Sequence, residues 1–137
     1  MFKLTYQMAK SKVHIKLTHA EIQHLGKHIY LLKFDDNYEV EVDDAIEVDK
    51  AFINLLGNRR FSVVVDARNQ YSSITNEARD FFANDPEILH IRKKIAIVVN
   101  NIHTKLLANF FVKFNKPQTP TKVFNDYDKA IKWLKEK

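Results

Sequence analysis

The chain has 137 residues, of which 45% are hydrophobic, with a net charge of +5, two glycines and no cysteine. This length fits one domain of ordinary size, and the hydrophobic share is enough to fill its core, which excludes a two-domain enzyme and a disordered chain. Gly26 and Gly57 are too far apart to form a glycine-rich phosphate loop. We therefore expect a single domain over residues 1–137.

Charge is distributed unevenly along the chain. Residues 34–58 are strongly acidic, whereas residues 1–33 and 93–137 carry a clear excess of lysine. Nucleic-acid binders usually interleave arginine with aromatic side chains on one surface, so this lysine excess does not predict a nucleic-acid partner. The first residues lack an apolar signal core, and no window approaches 18 apolar residues. These features, with the absence of cysteine, predict a soluble cytoplasmic protein without a transmembrane segment.

The first third of the chain predicts strands. Apolar and polar residues alternate over 2–6 and 13–17, which is typical of half-buried strands. A third strand over 29–34 follows the turn at Gly26, and the polar residues 35–37 then form another turn. We expect residues 38–42 to extend the same sheet.

From residue 43 onwards the apolar residues recur at helical spacing. Asp43 and Asp44 suit a helix N-terminus, Glu47 follows Asp44 at the spacing of a capping box, and Gly57 ends the helix. The β-branched run over 61–66 then predicts a strand buried on both faces, which is the pattern of a central parallel strand.

The second half of the chain predicts alternating helices and strands. In order, these are a helix capped by Thr75 and ended by Asp85 and Pro86, a strand over 94–99, a helix over 103–114, a strand over 122–124 and a helix capped by Asp126. On the helix over 103–114 one face carries the apolar residues, and Val112 lies opposite; the apolar face comprises Leu106, Leu107, Phe110, Phe111 and Phe114.

These elements predict an α/β fold. Leading antiparallel strands followed by strand–helix units form a mixed sheet, whose parallel part requires crossover helices. We expect about four helices to flank the sheet.

Two loops are candidate binding sites because ligands of open α/β sheets gather at the carboxyl ends of parallel strands. The loop after the strand over 61–66 brings hydroxyl groups to a helix N-terminus, and the loop after the strand over 94–99 is also polar. The candidate residues are Asp66, Arg68, Ser72, Ser73, Thr75, Asn100, Asn101 and His103. A purely structural interpretation competes, in which Thr75 caps a helix and Asp66 anchors the loop backbone.

No motif predicts catalysis, a metal or a cofactor. His24 and His28 have the spacing of two zinc ligands on a helix, but the glutamate of a metalloprotease motif is missing and Gly26 indicates a turn. The available serines and histidines lack the glycines of a nucleophile elbow. We therefore expect a protein that is not an enzyme and needs no metal or cofactor.

Three stretches of the chain resemble the bacterial family of STAS-like, or SpoIIAA-like, domains. They are residues 63–68 leading to 73–79, residues 108–111 leading to 115–117, and residues 120–124 leading to 130–134. The resemblance implies a sheet flanked by helices and a binding role more than a reaction.

Two functions follow from this resemblance and the residues together. The first is a non-enzymatic regulatory module that binds a protein partner through the loop after Asp66 and the Val112 side of its helix, with a phosphorylated Ser72 or Ser73 as its switch. The alternative is a carrier that holds a small apolar molecule or lipid among its ten phenylalanines. A homodimer is compatible with both functions.

Overall fold

Six strands form one mixed sheet in the computed structural model, which describes residues 13–137. The strands of the described residues are β1 (His14–Lys16), β2 (Ala20–Gly26), β3 (Ile29–Phe34), β4 (Glu39–Val40), β5 (Phe61–Asp66), β6 (Ser73–Ile74), β7 (Arg92–Val98) and β8 (Thr121–Phe124). The order in this sheet is β1-β2-β3-β5-β7-β8; β1, β2 and β3 pair antiparallel, and β3, β5, β7 and β8 pair parallel. The predicted mixed sheet is confirmed, and the strand predicted over 2–6 lies outside the described residues.

A separate two-stranded sheet corrects one prediction. Residues 38–42 do not extend the main sheet, because β4 pairs in parallel with β6 instead. The preceding turn, with Asn37 at a φ of 53°, redirects the chain away from β3. The small sheet thereby ties the start of the first helix to the loop that follows β5.

The first helix, α1 (Val42–Leu56), has its N-cap three residues earlier than the sequence predicts. Its N-cap is Glu41, and the capping box joins Glu41 to Asp44 rather than Asp44 to Glu47. The backbone nitrogen of Glu41 donates to Oδ2 of Asp44 at 2.9 Å, so the predicted partner Glu47 is free to accept from Thr18. Gly57 ends the helix as expected.

Four further α-helices follow in the described residues, making five where the sequence predicts about four. The extra one is a single short turn that begins after the break at Asp85, whose side chain caps it. The helices are α2 (Asn76–Asn84), α3 (Pro86–Leu89), α4 (Ile102–Phe110) and α5 (Tyr127–Lys135). Thr75 caps α2 and Asp126 caps α5, as predicted.

The sheet separates two apolar clusters. On one face, β5 residues such as Val63 pack with α1, α2, α3 and α4; on the other face, Val64 packs with Ala130 and Leu134 of α5. The helices therefore cover the parallel part of the sheet on both sides, and β5 is buried from both. None of the helices in residues 13–137 has the length and apolar character needed to cross a membrane.

The α4 helix corrects a second prediction. It continues into a π turn (Phe111–Asn115), and its inward side consists mainly of Thr104, Ala108 and Phe111. Val112, predicted to be exposed, is half-buried. Three of the five residues predicted to be buried are exposed instead, and together with Ile102 they form an apolar ridge, which we define as Ile102, Leu106, Phe110 and Phe114.

Replacing Gly57 with alanine should destabilise the protein through local backbone strain, without a clash with other parts of the fold. Gly57 has a φ of +61° and a ψ of −115°, yet an added Cβ would meet no atom within 4 Å. The cost is therefore confined to the backbone, and we expect Gly57→Ala to lower the free energy of unfolding by about 1–2 kcal/mol. Urea denaturation measures this, with Asn54→Ala on the exposed side of α1 as the control; equal stability of the two variants would contradict it.

Candidate functional site

The two candidate loops meet at the carboxyl ends of β5 and β7. The side chain of Asn100 exchanges hydrogen bonds with Asn69, accepting from its backbone nitrogen at 2.8 Å and donating to its Oδ1 at 2.9 Å. Nδ2 of Asn101 donates to the carbonyl of Gln70 at 2.9 Å. These contacts lock the start of α4 to the loop after β5.

His103 extends this contact. Its Nε2 lies 2.9 Å from the carbonyl oxygen of Ser72, so Nε2 carries the proton and donates. We call the hydrogen-bonded residues 69–72 and 100–103 the rim. The predicted residues Ser72, Asn100, Asn101 and His103 are thus brought together.

Asp66 and Arg68 satisfy one another beside the rim. Nε and Nη2 of Arg68 donate to the two carboxylate oxygens of Asp66, each at 2.9 Å, and the backbone nitrogen of Arg68 adds a third bond. Burial acts to raise the pKa of Asp66, but the bonds and charge of Arg68 outweigh it and leave the pKa below its usual value. Arg68 also lies over the ring of Tyr127 at 4.6 Å. The pair therefore anchors the loop.

The three hydroxyl groups of the loop have different environments. Ser72 is buried, and its Oγ donates to the carbonyl of Asp35. Oγ1 of Thr75 accepts from Ala78 at 3.1 Å as the cap of α2, away from the rim bonds. Ser73 is half-buried in β6. Phosphorylation of Ser72 would require this part of the loop to open.

An apolar cavity of about 140 Å³ lies beneath the rim, between the sheet and the helices on one face. Its sheet wall is formed by Leu32, Val63, Val65, Ile95 and Ile97, from β3, β5 and β7. Its helical wall includes Val48 and Phe52 of α1, Phe82 of α2, Leu107 and Ala108 of α4, and Phe111 of the π turn. The predicted residues Ser72 and Ser73 line its rim end together with Gln70 and Thr104.

The opposite end of the cavity holds two buried ionisable side chains. Asp49 of α1 is 2% exposed and Arg92, at the start of β7, is 5% exposed. Nε of Arg92 donates to Oγ1 of Thr119 at 3.1 Å, and Nη2 donates to the carbonyl of Phe82 at 2.7 Å. Nη1 lies 4.0 Å from Oδ1 of Asp49, beyond hydrogen-bond distance. The polar end of the cavity is thus incompletely paired.

The ionisation of Asp49 is shifted by its surroundings. Burial raises its pKa to about 8, because the charged form is poorly solvated; the Arg92 charge opposes this shift and the neighbouring Asp85 reinforces it. Its Oδ2 meets no hydrogen-bonding partner among the described residues. Asp49 is therefore largely protonated at neutral pH.

Sequence reasoning missed this end of the cavity. A signal was present, since Asp49 sits between Val48 and Phe52 on the core-facing side of α1, where a carboxylate is out of pattern. Arg92 gave no such signal, because it precedes the strand predicted over 94–99 and is the first residue of β7 only in the structure. The small residues Thr104 and Ala108 gave none, because small side chains also occur in filled cores. In residues 13–137 no cluster of three histidine or acidic side chains has the geometry to hold a metal ion.

The chain matches a known protein family over most of its length. The profile of the family described as "Domain of unknown function (DUF7793)" matches residues 23–137. The chain belongs to the DUF7793 family. No curated protein sequence matches it.

The DUF7793 domain is also similar in fold to a solved structure. That structure is an uncharacterised protein of the DUF3478 family with a SpoIIAA-like fold from Shewanella loihica PV-4. The alignment covers 90% of this chain and 91% of that chain, with a TM-score of 0.52 and 12% sequence identity. The resemblance to SpoIIAA-like domains is thereby confirmed for the fold.

Asp49→Asn should change how the stability of the DUF7793 domain depends on pH. In the unfolded chain Asp49 loses its proton near pH 4, as an ordinary aspartate does, whereas in the folded protein its pKa of about 8 keeps the proton in place. The wild type therefore loses stability as pH rises from about 4 to 8, by up to about 1.4 kcal/mol per pH unit from this group. We expect the Asn variant to lack this loss. The difference between its free energy of unfolding and that of the wild type should therefore grow from pH 4 to 8 in favour of the variant and stay constant above that range.

Denaturant unfolding at a series of pH values measures the effect. The control is Asp43→Asn, which removes an exposed carboxylate from the first turn of the same helix. If the stability of Asp49→Asn runs parallel to that of the wild type between pH 4 and 8, the carboxyl of Asp49 is ionised in the folded protein and the expectation is wrong.

Proposed function

We propose that the DUF7793 domain is a non-enzymatic binding module that holds a small apolar molecule in the cavity beneath the rim. The observation that carries this proposal is the cavity itself, about 140 Å³ of space lined by apolar side chains of the sheet, α1, α2 and α4. Natural protein interiors are close-packed and contain few voids larger than a water molecule. A cavity of this size in a small domain is therefore uncommon and favours a role in ligand binding.

The energetic cost of the void supports a ligand. The cavity is partly open, so leaving its volume of about 140 Å³ empty costs at most about 3 kcal/mol relative to a filled core, at about 24 cal/mol per Å³. That upper limit is a large fraction of the 5–15 kcal/mol that typically separates folded from unfolded proteins. A ligand that fills the space recovers part of this stability.

The size of the cavity sets the size of the ligand. An apolar cavity of about 150 Å³ is known to stay dry and to bind benzene. Pockets for larger, drug-sized molecules start at roughly 300 Å³. We therefore propose a small aromatic or short-chain molecule and not a whole lipid, which narrows the carrier function expected from the sequence.

The polar ends of the cavity differ in what they offer to a ligand. At the rim end, Ser72, Gln70 and Thr104 already use their side chains in hydrogen bonds to other residues. At the opposite end, Nη1 of Arg92 makes no hydrogen bond within the described part of the chain. A ligand with one hydrogen-bond acceptor would place it at Arg92 and its apolar body along β5 and β7.

The regulatory role that the resemblance implies stays a prediction. The loop that would contact a protein partner is bonded internally through Asp66, Arg68 and the rim, and Ser72 is buried. These contacts favour ligand binding over a phosphoswitch at Ser72.

Two measurements on the full chain test the proposal. A native mass spectrum of protein purified from its own cells should contain a small molecule that is absent from the denatured spectrum. After its removal, benzene at about 100 times its dissociation constant should raise the free energy of unfolding by about 2.7 kcal/mol and the melting temperature by roughly 10 °C. A protein that carries no molecule and is not stabilised by benzene would refute the proposal.

Two matched variants, each with one alanine replaced by leucine, locate the binding in this cavity. Ala108 lines the cavity, whereas Ala96 is packed against α5 on the other face of the sheet. Ala108→Leu should abolish the benzene effect while leaving the stability unchanged or higher, because the new side chain occupies empty space. Ala96→Leu should cost about 1–3 kcal/mol through overpacking and keep the benzene effect. Equal stabilisation of Ala108→Leu and wild type by benzene would contradict the assigned site.

A further inference from the structure

The ridge on α4 is an uncommon feature for a helix that packs on a sheet. Its four side chains recur every four residues and remain exposed to solvent, Ile102 by 81%, Leu106 by 52%, Phe110 by 36% and Phe114 by 65%. Isolated exposed apolar residues are normal in proteins, but a continuous row of them marks an interaction surface.

The row winds around the helix before the π turn and holds its direction within it. Residues spaced by four drift about 40° around an α-helix at each step, so Ile102 and Phe110 differ by about 80°, and the wider turn after Phe110 limits further drift. The rings of Phe110 and Phe114 are in contact, with centroids 5.4 Å apart. The ridge therefore runs as a gently winding row along α4 and the π turn.

Lysines flank the ridge on its solvent side. Lys105, Asn109 and Lys113 form the adjacent row, also at four-residue spacing, and all are exposed. Nζ of Lys113 lies 5.8 Å from the centre of the Phe114 ring, so charge and aromatic surface stand side by side. From residue 102 to residue 116 the charged side chains are Lys105, Lys113 and Lys116, which are all exposed, and no residue in this range is acidic. The charge of this surface is complementary to an anionic partner.

We propose that α4 lies on an anionic membrane surface, with the ridge inserted at the level of the lipid head groups and the flanking lysines facing lipid phosphates. Peripheral helices combine an aromatic and aliphatic row with lysines beside it, and this is the arrangement of Leu106, Phe110 and Phe114 with Lys105 and Lys113. The proposal is independent of what the cavity holds.

The composition of the surface favours a membrane over a protein partner. Protein interfaces are enriched in aromatic residues and arginine but depleted in lysine, whereas every charged residue of α4 and the π turn is lysine.

Sedimentation with lipid vesicles tests the proposal on the full chain. The vesicles contain phosphatidylcholine alone or mixed with an equal amount of phosphatidylserine. We expect binding to the mixed vesicles that weakens as salt is added, and little binding to phosphatidylcholine alone. Absence of binding to the mixed vesicles at low salt would overturn the proposal.

Variants of the ridge and of the lysine row separate the apolar contribution to vesicle binding from the electrostatic one. The double variant Phe110→Ser, Phe114→Ser should weaken binding to mixed vesicles by at least about tenfold, whereas Leu25→Ser, which removes an exposed leucine of β2, should not change it. The double variant Lys105→Gln, Lys113→Gln should lose about fivefold for each lysine. Its control is Lys129→Gln with Lys132→Gln, on α5 at the other face of the sheet.

Two results would refute the membrane surface even if the wild type sediments with vesicles. One is an equal loss of binding in the control variants, which would indicate attraction by net charge alone. The other is a dimer in light scattering that Phe110→Ser, Phe114→Ser converts to a monomer, which would make the ridge an interface between two copies of the chain.

Discussion

The strand β5 is buried on both of its faces, and the remaining architecture follows from that constraint. Phe61 and Val63 face one apolar cluster, Val64 faces the other, and both neighbouring strands run parallel to β5. Parallel neighbours require crossover connections, and the crossovers supply the helices that cover the two faces. The carboxyl end of β5 then necessarily opens into a loop at the edge of the sheet, beside the corresponding loop of β7.

The cavity arises because one of those helices does not fill the space beneath it. Thr104 and Ala108, two inward residues of α4, are small and line the cavity together with Val65 and Ile97 of the sheet. The rim bonds from Asn100, Asn101 and His103 fix the start of α4 independently of apolar packing. Polar contacts thus hold the helix in place, and the core below it can remain unfilled without collapsing.

The pattern of apolar residues, together with the helix-capping residues, was sufficient to predict much of this fold. The run over 61–66 identified the central strand because β-branched residues without alternation occur where both faces are buried. Thr75 and Asp126 identified helix starts because their side chains accept the free backbone N–H groups. The loops after β5 and β7 were predicted from topology, since parallel strands end at the same edge.

Other features depend on distant partners and could not be predicted in this way. Residues 38–42 have the composition of a strand, but which sheet they join is decided by Ser73 and Ile74, far along the chain. Periodicity alone placed Leu106, Phe110 and Phe114 on the buried face of α4. The helix carries more apolar residues than one face can bury, and the pattern does not show which of them remain exposed. The pKa of Asp49 likewise depends on its burial and on Arg92 and Asp85, which only the folded chain brings near it.

The π turn has a consequence for how the length of this chain can vary. It ends with Asn115, whose side chain accepts from Arg79 and donates to Asn76 and Asp80 of α2. A π turn holds one residue more than the α-helical turn it replaces, so rewinding Phe111–Asn115 as a regular α-helix at the same length would rotate Asn115 away from these partners by about 100°. Removing one residue from the turn compensates for that rotation, so related sequences should tolerate the loss of a single residue here with the contacts to α2 kept.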